Sequence, residues 1–388
     1  MITRLLQLVV EKTLTRSPAI AILGPRQVGK TTLAKTIAAH ETGYHYLDLE
    51  NPRDYQKLDD AYTYLQSFQD ACVILDEVQH MPQLFSILRP LIDEHRVPGR
   101  FILLGSASPS LIRGVSESLA GRIAYMELTG IGLLELPDDI DYRINWFRGS
   151  FPNALIAPTD EDSKNWLNDF IRSYIERDLA YLFGVELSPV ILRNFWSMLA
   201  HANGNIWNAE TFARSLGVTA PTVLRYISFL EGAYIVRRLP PWFVNAKKRL
   251  IKSPKAYIRD TGLLHRLLNI PDLDSLFGHP GAGGSWEGYV IEQIYQQRSF
   301  DLELFYYRTQ AGAECDLLLV KGITPLACIE IKLGNTPAIS RGFINCTEDL
   351  QPKYKYIITP GSETFTTHHD VVVTNLYHFV TVLLQQIK

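Results

Sequence analysis

The sequence predicts an α/β protein that begins with a parallel sheet covered by helices. From Ala19 to Leu104, short apolar runs alternate with helical patterns, and this alternation is typical of parallel sheets. A glycine-rich turn with the pattern G-x-x-x-x-G-K-[ST] follows the first apolar run, at residues 24–31. An acidic pair follows a later apolar run, as expected at the carboxyl edge of such a sheet. After this part we predict a helical and helix-turn-helix segment, and then a second α/β region.

The individual elements are predicted from apolar runs and their periodicity. The strands of the first part are Ala19–Leu23, 44–49, 71–75 and 101–104, and its helices are 30–40, 59–69 and 84–95. Residues 160–202 have a helical pattern, and a compact helix-turn-helix pattern spans 208–231. The glycine-rich stretch 276–285 is predicted to be a loop or hinge, and a helix and three or more strands follow from Trp286.

The composition of the chain is that of an ordinary soluble globular protein. It has 388 residues, of which 46% are hydrophobic and 20% are charged, and this length suggests two or three domains. No apolar run approaches the ~18 residues of a membrane span, and the start is too short and too charged for a signal peptide. We therefore expect a cytoplasmic protein with no membrane partner.

Four cysteines are spread along the sequence without a CxxC pair: Cys72, Cys315, Cys328 and Cys346. This spacing argues against a zinc ribbon and against a disulfide framework. Three of the four lie in apolar runs, so we expect them to be small buried hydrophobic side chains.

The glycine-rich turn is a complete phosphate-binding loop in the context that such a loop requires, between a strand and a helix. Its glycines let backbone N–H groups point at phosphates, and the following helix adds the positive end of its dipole. Lys30 places a charge on the β- and γ-phosphates of ATP, and the Thr31 hydroxyl holds Mg²⁺. The predicted ATP-binding residues are Gly24, Pro25, Arg26, Gln27, Val28, Gly29, Lys30, Thr31 and Thr32.

The acidic pair Asp76–Glu77 is the expected partner of this loop. It follows a buried strand about 45 residues later, at the strand end where open α/β sheets bind ligands. Asp76 would hold Mg²⁺, directly or through water, and Glu77 would orient the attacking water. These roles make the chain an ATPase with ATP and Mg²⁺ as cofactors.

Three further residues are candidates for sensing or stabilising the reacting phosphate. Ser106 ends the next buried strand and could sense the γ-phosphate or water, although an ordinary strand-ending turn explains it as well. Arg122 and Arg113 could act as an arginine finger on the nucleotide of a neighbouring subunit. A surface arginine is an equally good explanation for either of them.

Several segments resemble the bacterial and archaeal AAA+-type ATPases that carry a conserved carboxy-terminal domain of unknown function. The first part contributes GPRQVGKTT, VILDEVQ and ILLGSASPSL…ESLAGRI. The later segments are YIERDL (174–179), SPKAYIRDTGLL (253–264), YYRTQAGAECDLLL (306–319) and CIEIKLG (328–334). The proline in Ser-Ala-Ser-Pro departs from the pattern and could shorten the turn after Ser106, which weakens a sensor role for that serine.

The resemblance implies an ATPase followed by a winged helix and a nuclease-like fold. On this basis we predict an ATPase domain at 1–136, a helical connector at 137–190, a winged helix at 191–245 and a PD-(D/E)XK nuclease-like domain at 246–388. A homo-oligomer, either a ring or a dimer, is compatible with this organisation.

The helix-turn-helix segment is a candidate DNA-binding unit. Asn208 suits an N-cap, Gly217 a left-handed C-cap, and Thr219 the cap of the next helix. If the segment binds DNA, Thr222, Arg225 and Tyr226 lie on the exposed recognition face. Winged helices in ATPases also serve as lids or subunit contacts, so both explanations stay open.

A basic block follows, because residues 225–266 hold ten Lys or Arg and two Asp or Glu. Such a block either binds a polyanion or is a solvated basic face. In the DNA-binding interpretation its cations contact phosphates and fix position rather than sequence. The candidates are Arg237, Arg238, Lys247, Lys248, Arg249, Lys252 and Lys255.

The carboxy-terminal part resembles the PD-(D/E)XK arrangement through Glu287, Asp316, Glu330 and Lys332. Residues two apart in a strand share a face, so Glu330 and Lys332 point the same way, and a hairpin brings Asp316 close. Glu287 falls on an apolar helical stripe that Glu292 does not share, which makes Glu287 the preferred acid. The three carboxylates would bind one or two Mg²⁺ ions, and Lys332 would position the nucleophile or offset phosphate charge. Glu314 could assist or merely be solvated. Exposed charges on an edge strand, an inactive fold that only binds, and an active nuclease all remain open.

Three functions are therefore compared. The first is an ATP-driven enzyme that binds or processes DNA, with or without nuclease activity. The second is an ATP-gated switch, regulatory or defensive, whose nuclease-like domain is inactive. The third is a protein-remodelling ATPase, which needs neither the basic block nor the acidic residues of the last domain.

Overall fold

The computed structural model describes residues 2–39, 43–107, 119–174, 188–243, 251–334 and 338–387. The chain forms two compact units. The first consists of Met1–Ile131, Ser173–Glu186 and Ser228–Ile235, and the second of Gly132–Arg172, Leu187–Ile227 and Val236–Lys388.

The first unit contains a five-stranded parallel sheet. Its strands are β1 Ala19–Leu23, β2 Tyr44–Asp48, β3 Cys72–Asp76, β4 Phe101–Gly105 and β5 Ile123–Glu127. They lie in the order β2-β3-β4-β1-β5, with every pair parallel. The four predicted strands are confirmed to within one residue at either end. The fifth was not predicted; it is an edge strand in which no residue is buried, although four of its five residues are apolar.

Helices cover both faces of this sheet. They are α1 Leu6–Leu14, α2 Lys30–Ala38, α3 Pro52–Lys57, α4 Ala61–Gln66 and α5 Leu84–Glu94. Every residue of β1 and β4 is buried, and successive side chains of a strand point to opposite faces. Both faces must therefore be covered, which is why these strands read as unbroken apolar runs in the sequence.

Further helices follow along the chain, before and within a second sheet. They are α6 Tyr142–Arg148, α7 Pro152–Leu155, α8 Asp160–Ser173, α9 Pro189–His201, α10 Ala209–Leu216, α11 Ala220–Gly232, α12 Thr261–Leu267, α13 Leu273–Phe277, α14 Ala282–Gln297, α15 Arg341–Leu350 and α16 Leu376–His378. Within the described residues, no helix is long and apolar enough to cross a membrane.

The helix-turn-helix is confirmed at α10 and α11, together with its predicted caps. The Asn208 side chain accepts hydrogen bonds from the backbone N–H groups of Glu210 and Thr211, at 2.9 and 3.2 Å. Gly217 ends α10 with φ at +67°, a left-handed conformation that favours glycine. The Thr219 hydroxyl accepts from the Thr222 backbone N–H at 3.4 Å. An antiparallel pair follows, formed by β6 Val236–Leu239 and β7 Lys255–Ile258.

The second unit contains a six-stranded mixed sheet. Its strands are β8 Leu302–Arg308, β9 Glu314–Lys321, β10 Thr324–Ile331, β11 Tyr354–Thr359, β12 Phe365–Thr366 and β13 Val372–Asn375. The order is β12-β13-β11-β10-β9-β8. The predicted hairpin joins β9 to β10, and Gly322 turns it with φ at +62°. Three cysteines meet in the core beside this hairpin, where Cys315, Cys328 and Cys346 are buried as free thiols.

The glycine-rich stretch was predicted as a loop or hinge, but its end forms the first turn of α14. The prediction holds for residues 278–281 and fails for 282–285, because the helical glycines there and just beyond serve close packing rather than a turn. A Cβ on Gly284 would lie 2.8 Å from the Asn203 carbonyl oxygen, and one on Gly288 would lie 3.3 Å from the Tyr257 ring. Glycine therefore lets this helix approach its neighbours directly, despite its low helix propensity.

A buried polar network links α14 to two other helices of the second unit. His265 contacts the Phe147 carbonyl through Nδ1 at 2.9 Å and the Ser285 hydroxyl through Nε2 at 2.7 Å. The Trp146 indole N–H donates to the same hydroxyl at 3.0 Å. Burial lowers the pKa of His265 to about 4, because a charged imidazole there would lose its hydration.

We expect His265 to make the stability of the second unit dependent on pH. The unfolded imidazole takes up a proton near pH 6.5 and the folded one only near pH 4, so the stabilisation is complete above pH 6.5 and is lost as the pH falls toward 4. Between pH 7.5 and 5 this amounts to about 2 kcal/mol in the free energy of unfolding. Urea unfolding of wild type and His265→Gln at both pH values measures it. The exposed control is His201→Gln. If the free energy of unfolding of His265→Gln depends on pH as strongly as that of wild type and of this control, the assignment is contradicted.

Candidate functional site

The loop between β1 and α2 has a backbone shape that only its glycines permit. Gly24 has φ at +153°, and a Cβ there would lie 2.1 Å from the Leu128 carbonyl oxygen. Gly29, with φ at +94°, is the N-cap of α2, and none of the described side chains caps that helix. The first N–H groups of α2 are therefore available to an anion, which the helix dipole also attracts.

Lys30 is buried inside the loop that it follows. Its ammonium group donates to the carbonyl oxygens of Gly24 and Pro25, at 3.1 and 2.8 Å, and lies 3.4 Å from the Ser106 hydroxyl. Burial lowers the pKa of Lys30, against the opposing effect of the Glu77 and Asp76 carboxylates. Burial deprives this ammonium of its hydration. A phosphate bound in the loop would supply the opposite charge that offsets this loss.

The other loop residues lie where the pattern predicts, with different exposure. Pro25 and Val28 are buried, whereas Thr32 is exposed on the first turn of α2. The Arg26 guanidinium pairs with the Glu50 carboxylate. Gln27 has φ at +62°, an uncommon conformation for a residue other than glycine.

Thr31 and Asp76 are in direct contact, which joins the loop to the end of β3. The Thr31 hydroxyl donates to Asp76 Oδ2 at 2.6 Å, and the Tyr46 hydroxyl donates to the same oxygen at 2.9 Å. Burial raises the pKa of Asp76, and the hydrogen bond from Thr31 opposes the shift. A hydroxyl and a carboxylate side by side are hard oxygen ligands of the kind that Mg²⁺ prefers. These two residues therefore fit the predicted Mg²⁺ site.

Glu77 and Ser106 lie together beside Lys30. The Ser106 hydroxyl is fully buried and donates to Glu77 Oε2 at 3.0 Å. Gln79 donates to the same carboxylate and accepts from the Ser106 backbone N–H at 3.3 Å. Glu77 itself has φ at +54°, so its backbone is held in a sparsely populated conformation. The structure thus brings together a carboxylate, a hydroxyl and an ammonium at one edge of the sheet.

Arg122 lies at the opposite edge of the sheet. It precedes β5, whose last residue, Glu127, is aligned with Leu23 at the start of the loop. Its guanidinium donates two hydrogen bonds to the Asp93 carboxylate, at 2.6 and 2.8 Å. Arg122 therefore cannot reach the nucleotide of its own chain, and a role on a neighbouring subunit stays a prediction. Arg113 lies outside the described residues.

Arg4 supports the loop and was not identified from the sequence. This buried side chain donates to the carbonyl oxygens of Val28, Thr129 and Gly130, at 2.9, 2.7 and 3.2 Å. It thereby ties the phosphate-binding loop to the segment after β5. A single arginine near the start of the chain carries no sequence pattern that could have indicated this role.

The structure corrects two residues of the predicted DNA-binding face. Tyr226 was placed on the exposed recognition face, but it is buried and packs against the Phe195 ring. Arg237 was predicted to contact phosphate, but it pairs with the buried Glu292, which Arg259 also contacts at 3.1 Å. Although burial opposes the shift, the two guanidinium groups lower the pKa of Glu292.

Other residues of that face lie where DNA could reach them. Arg225 and Lys252 are exposed, and Thr222 is half-buried at the start of α11. Lys247, Lys248 and Arg249 lie outside the described residues. The described residues therefore include only some of the cations of the basic block.

Lys255 is the third correction. It was predicted to contact phosphate, but its ammonium is buried among acidic side chains of the second unit. It lies 2.9 Å from Glu287 Oε1, 3.5 Å from Asp316 Oδ1 and 4.0 Å from Glu314 Oε1. Although burial disfavours its charge, the carboxylates of Glu287 and Asp316 raise the pKa of Lys255.

Of the acids predicted from the nuclease-like pattern, Glu287 and Asp316 meet at Lys255, whereas Glu330 pairs with Lys332. Among the described residues, the three carboxylates do not form one metal-ligating group. We call Glu287, Asp316 and Glu330, with Lys255 and Lys332, the acidic cluster. Asp316 Oδ2 accepts from the Ile331 backbone N–H at 2.9 Å, and Lys332 lies 2.8 Å from Glu330 Oε1. Burial and the neighbouring Asp316 raise the pKa of Glu287 to about 7, against the opposing effect of Lys255.

We expect Arg4→Met to loosen the phosphate-binding loop. The substitution leaves carbonyl oxygens of Val28, Thr129 and Gly130 without their donor, which costs about 1–3 kcal/mol in the free energy of unfolding. ATP should also bind more weakly, because the loop is no longer held in its binding shape. Isothermal titration with ATP and thermal unfolding check both effects, with the exposed Arg16→Met as control. Unchanged ATP affinity would contradict the role of Arg4.

Three domain families match consecutive parts of the chain. An AAA domain matches residues 16–136, a domain of unknown function (DUF8612) matches 140–274, and a second domain of unknown function (DUF4143) matches 282–379. The first match covers the phosphate-binding loop, β3 and β4. The chain therefore carries an AAA-type ATPase domain, as the sequence patterns predict.

Among solved structures, the likeness is looser. The Walker-type ATPase PABY2304 of Pyrococcus abyssi has a TM-score of 0.44 at 14% identity, covering 69% of this chain and 96% of that one. A single-substitution variant of RuvB from Thermotoga maritima has a TM-score of 0.30 at 20% identity, covering 61% of this chain and 87% of that one. Neither likeness is close enough to say more about this chain.

Two mycobacterial relatives match almost the whole chain. They are the uncharacterized protein Rv2008c of Mycobacterium tuberculosis and the uncharacterized protein Mb2031c of Mycobacterium bovis. Each is 41% identical over 363 residues, which is 94% of this chain and 81% of the relative. The chain therefore belongs to the same family as these two proteins, and it carries an AAA domain ahead of two domains of unknown function.

Proposed function

We propose that this chain is a Mg²⁺-dependent ATPase whose nucleotide turnover is coupled to DNA binding. The proposed ATPase activity is supported by the hydrogen bond between Thr31 and Asp76. In it, the Thr31 hydroxyl and Asp76 Oδ2, the two expected Mg²⁺ ligands, lie 2.6 Å apart beside the phosphate-binding loop. The AAA domain match at residues 16–136 supports the same activity.

Each residue of the site has its own role in ATP hydrolysis. The loop and Lys30 bind the β- and γ-phosphates, and Thr31 and Asp76 would hold Mg²⁺, which neutralises phosphate charge when bound. Glu77 is placed to orient the attacking water, and the buried Ser106 hydroxyl links that carboxylate to Lys30. Ser106 is thus in position to report whether a γ-phosphate is present. An arginine from a neighbouring copy, Arg122 or Arg113, would complete the charge stabilisation in a homo-oligomer.

DNA is the proposed partner of the helix-turn-helix and the basic block. Arg225 and Lys252 are exposed, and the two helices have the caps and glycine turn of a DNA-binding unit. The winged-helix and nuclease-like identities of these regions are part of the proposal. With Tyr226, Arg237 and Lys255 removed from the face, the contact to phosphates rests on fewer cations, chiefly those of segment 247–252.

The acidic cluster supports a second candidate function, cleavage of DNA. The PD-(D/E)XK resemblance names Glu287, Asp316, Glu330 and Lys332; Glu287 and Asp316 meet at Lys255, and Lys332 pairs with Glu330. The alternative is an ATP-gated switch whose nuclease-like domain binds without cleaving. The burial of Lys255 between two of these acids favours the switch over a nuclease with two metal ions. A protein-remodelling ATPase has no specific observation in its favour.

Substitution of the two central residues should separate ATP binding from ATP turnover. Lys30→Ala should lower turnover at least about a hundredfold, because it removes a charge that stabilises the transferred phosphate. Glu77→Gln should lower it by a similar factor while ATP still binds, because only the water-orienting group is lost. Phosphate release and ATP binding measure the two effects, alone and with single-stranded, duplex and branched DNA.

The control for this experiment is Lys12→Ala, an exposed lysine on α1. If Lys30→Ala still hydrolyses ATP at the wild-type rate, the assignment of the nucleotide site is wrong. Turnover that no form of DNA stimulates would leave the ATPase in place but turn the search for a partner toward proteins.

Charge reversal in the basic block should weaken DNA binding. The triple variant Lys247→Glu, Lys248→Glu and Arg249→Glu removes up to three phosphate contacts, so the slope of log K against log salt should flatten by up to about 3. Fluorescence anisotropy with duplex DNA at several salt concentrations measures affinity and slope. The matched control is Lys12→Glu with Arg16→Glu, two exposed cations of the first unit. Equal binding by the triple variant and this control would place the DNA surface elsewhere.

A further inference from the structure

The three buried cysteines of the second unit bring their thiols together from three different elements. Cys315 lies on β9, Cys328 on β10 and Cys346 on α15. Their sulfur atoms all lie within 4.8 Å of one another, and Cys328 Sγ is 3.9 Å from Cys346 Sγ. Each is a free thiol, and none of the three side chains is more than 1% exposed. We call these three residues the thiol cluster.

The burial of each cysteine has an ordinary explanation, because a free cysteine behaves as a small hydrophobic side chain. That explanation does not require three sulfur atoms to meet at one point. Apolar residues such as Phe343 and Ile357 surround the cluster, and among the described residues no carboxylate or imidazole joins the three sulfur atoms as a further ligand. The donor set is therefore entirely sulfur, which selects soft metal ions.

The spacing of the sulfur atoms fits a single ion bound between them. A metal–thiolate bond is about 2.3 Å long, so three sulfur atoms around one ion lie about 4 Å apart. The 3.9 Å between Cys328 and Cys346 already has this value, so little movement is needed to close the site. Structural zinc takes four ligands, and the described residues supply three. A soft ion that accepts three ligands, the cuprous ion Cu⁺, fits better.

A positive charge lies next to the cluster. Metal ligands are thiolates, so binding releases protons, and each thiolate beyond the first adds a negative charge that Cu⁺ does not neutralise. Lys355 is the partner of Cys328 in the parallel pair of β10 and β11. Contact with Cys315 raises the pKa of Cys328, and the nearby Lys355 opposes this shift. The Lys355 ammonium thus offsets one negative charge of a copper–thiolate group.

A cavity gives an ion a route to the thiols. It has a volume of about 540 Å³, and its wall includes the exposed Gln310 together with Asn345, which directly precedes Cys346. Ala313, another residue of the wall, packs in the same apolar core as the thiol cluster. The carboxylate of Glu348 also lines the cavity, and a negative charge at such a place attracts cations from solvent.

We infer that the thiol cluster binds one cuprous ion, with the three sulfur atoms as its ligands and Lys355 as the neighbouring counter-charge. The thiols that become thiolates lose their protons to solvent, and neither copper nor sulfur changes its oxidation state. The bound ion joins β9, β10 and α15 through their side chains. This site is separate from the ATP site, and its occupation does not depend on whether the chain binds or cleaves DNA.

Competition for Cu⁺ tests the site in the full-length protein. Under anaerobic conditions, Cu⁺ is titrated into the protein in the presence of the chromogenic chelator bathocuproine disulfonate. Wild type should retain one Cu⁺ per chain, whereas Cys315→Ala, Cys328→Ala and Cys346→Ala should each release it to the chelator. The matched control is Cys72→Ala, which removes the cysteine of the first unit and should leave one ion bound. Equal retention by the cluster variants and this control would overturn the assignment.

X-ray absorption at the copper edge identifies the ligands without any substitution. The wild-type protein with one Cu⁺ should show three sulfur neighbours and no nitrogen or oxygen neighbour. A spectrum with nitrogen or oxygen ligands, or with only two sulfur ligands, would overturn the three-thiol site. If the cluster variants do not fold, this measurement on wild type decides alone.

The counter-charge is tested by a pair of lysine substitutions. Lys355→Met should weaken Cu⁺ binding about tenfold, as the loss of a group next to the ligands typically does. The control is Lys353→Met, an exposed lysine two residues earlier. Thermal unfolding accompanies the titration, and Cu⁺ should raise the melting temperature of wild type but not that of Cys346→Ala. Equal affinity in both lysine variants would remove Lys355 from the site.

Discussion

The hydrogen bond between Thr31 and Asp76 depends on the order of strands in the first sheet. The rest of the nucleotide site is arranged around this hydrogen bond. Parallel strands end at the same edge, so the loop after β1 and the acids after β3 emerge together. Because β4 lies between β1 and β3, its last residues are placed between loop and acids. Ser106 is therefore within reach of both Lys30 and Glu77, although the three are far apart in sequence.

The second unit follows a different rule, the compensation of buried charge. A charged side chain that leaves water must find an opposite charge or hydrogen bonds. Glu292 does so with Arg237 and Arg259, and Lys255 does so with Glu287 and Asp316. Two of these cations, Arg237 and Lys255, are thereby removed from the surface that was predicted to meet DNA.

The sequence predictions succeeded where a local pattern has only one structural solution. The phosphate-binding loop, the caps at Asn208 and Gly217, and the hairpin through Gly322 all depend on residues close in the chain. They failed where a side chain had two possible environments. Tyr226 on an amphipathic helix and Lys255 in a basic block have the same local pattern whether they are buried or exposed.

The sequence by itself determined the parallel sheet, the phosphate-binding loop with Asp76 and Glu77, and the hairpin of the second unit. Those features are set by apolar periodicity and by motifs whose spacing is local. Only the tertiary structure decided that Arg4 holds the loop, that Arg122 lies at the far edge of the sheet, and that Lys255 sits among the acids. The physical reason is that charge pairing and burial are set by elements distant in the chain, whose approach no local pattern records.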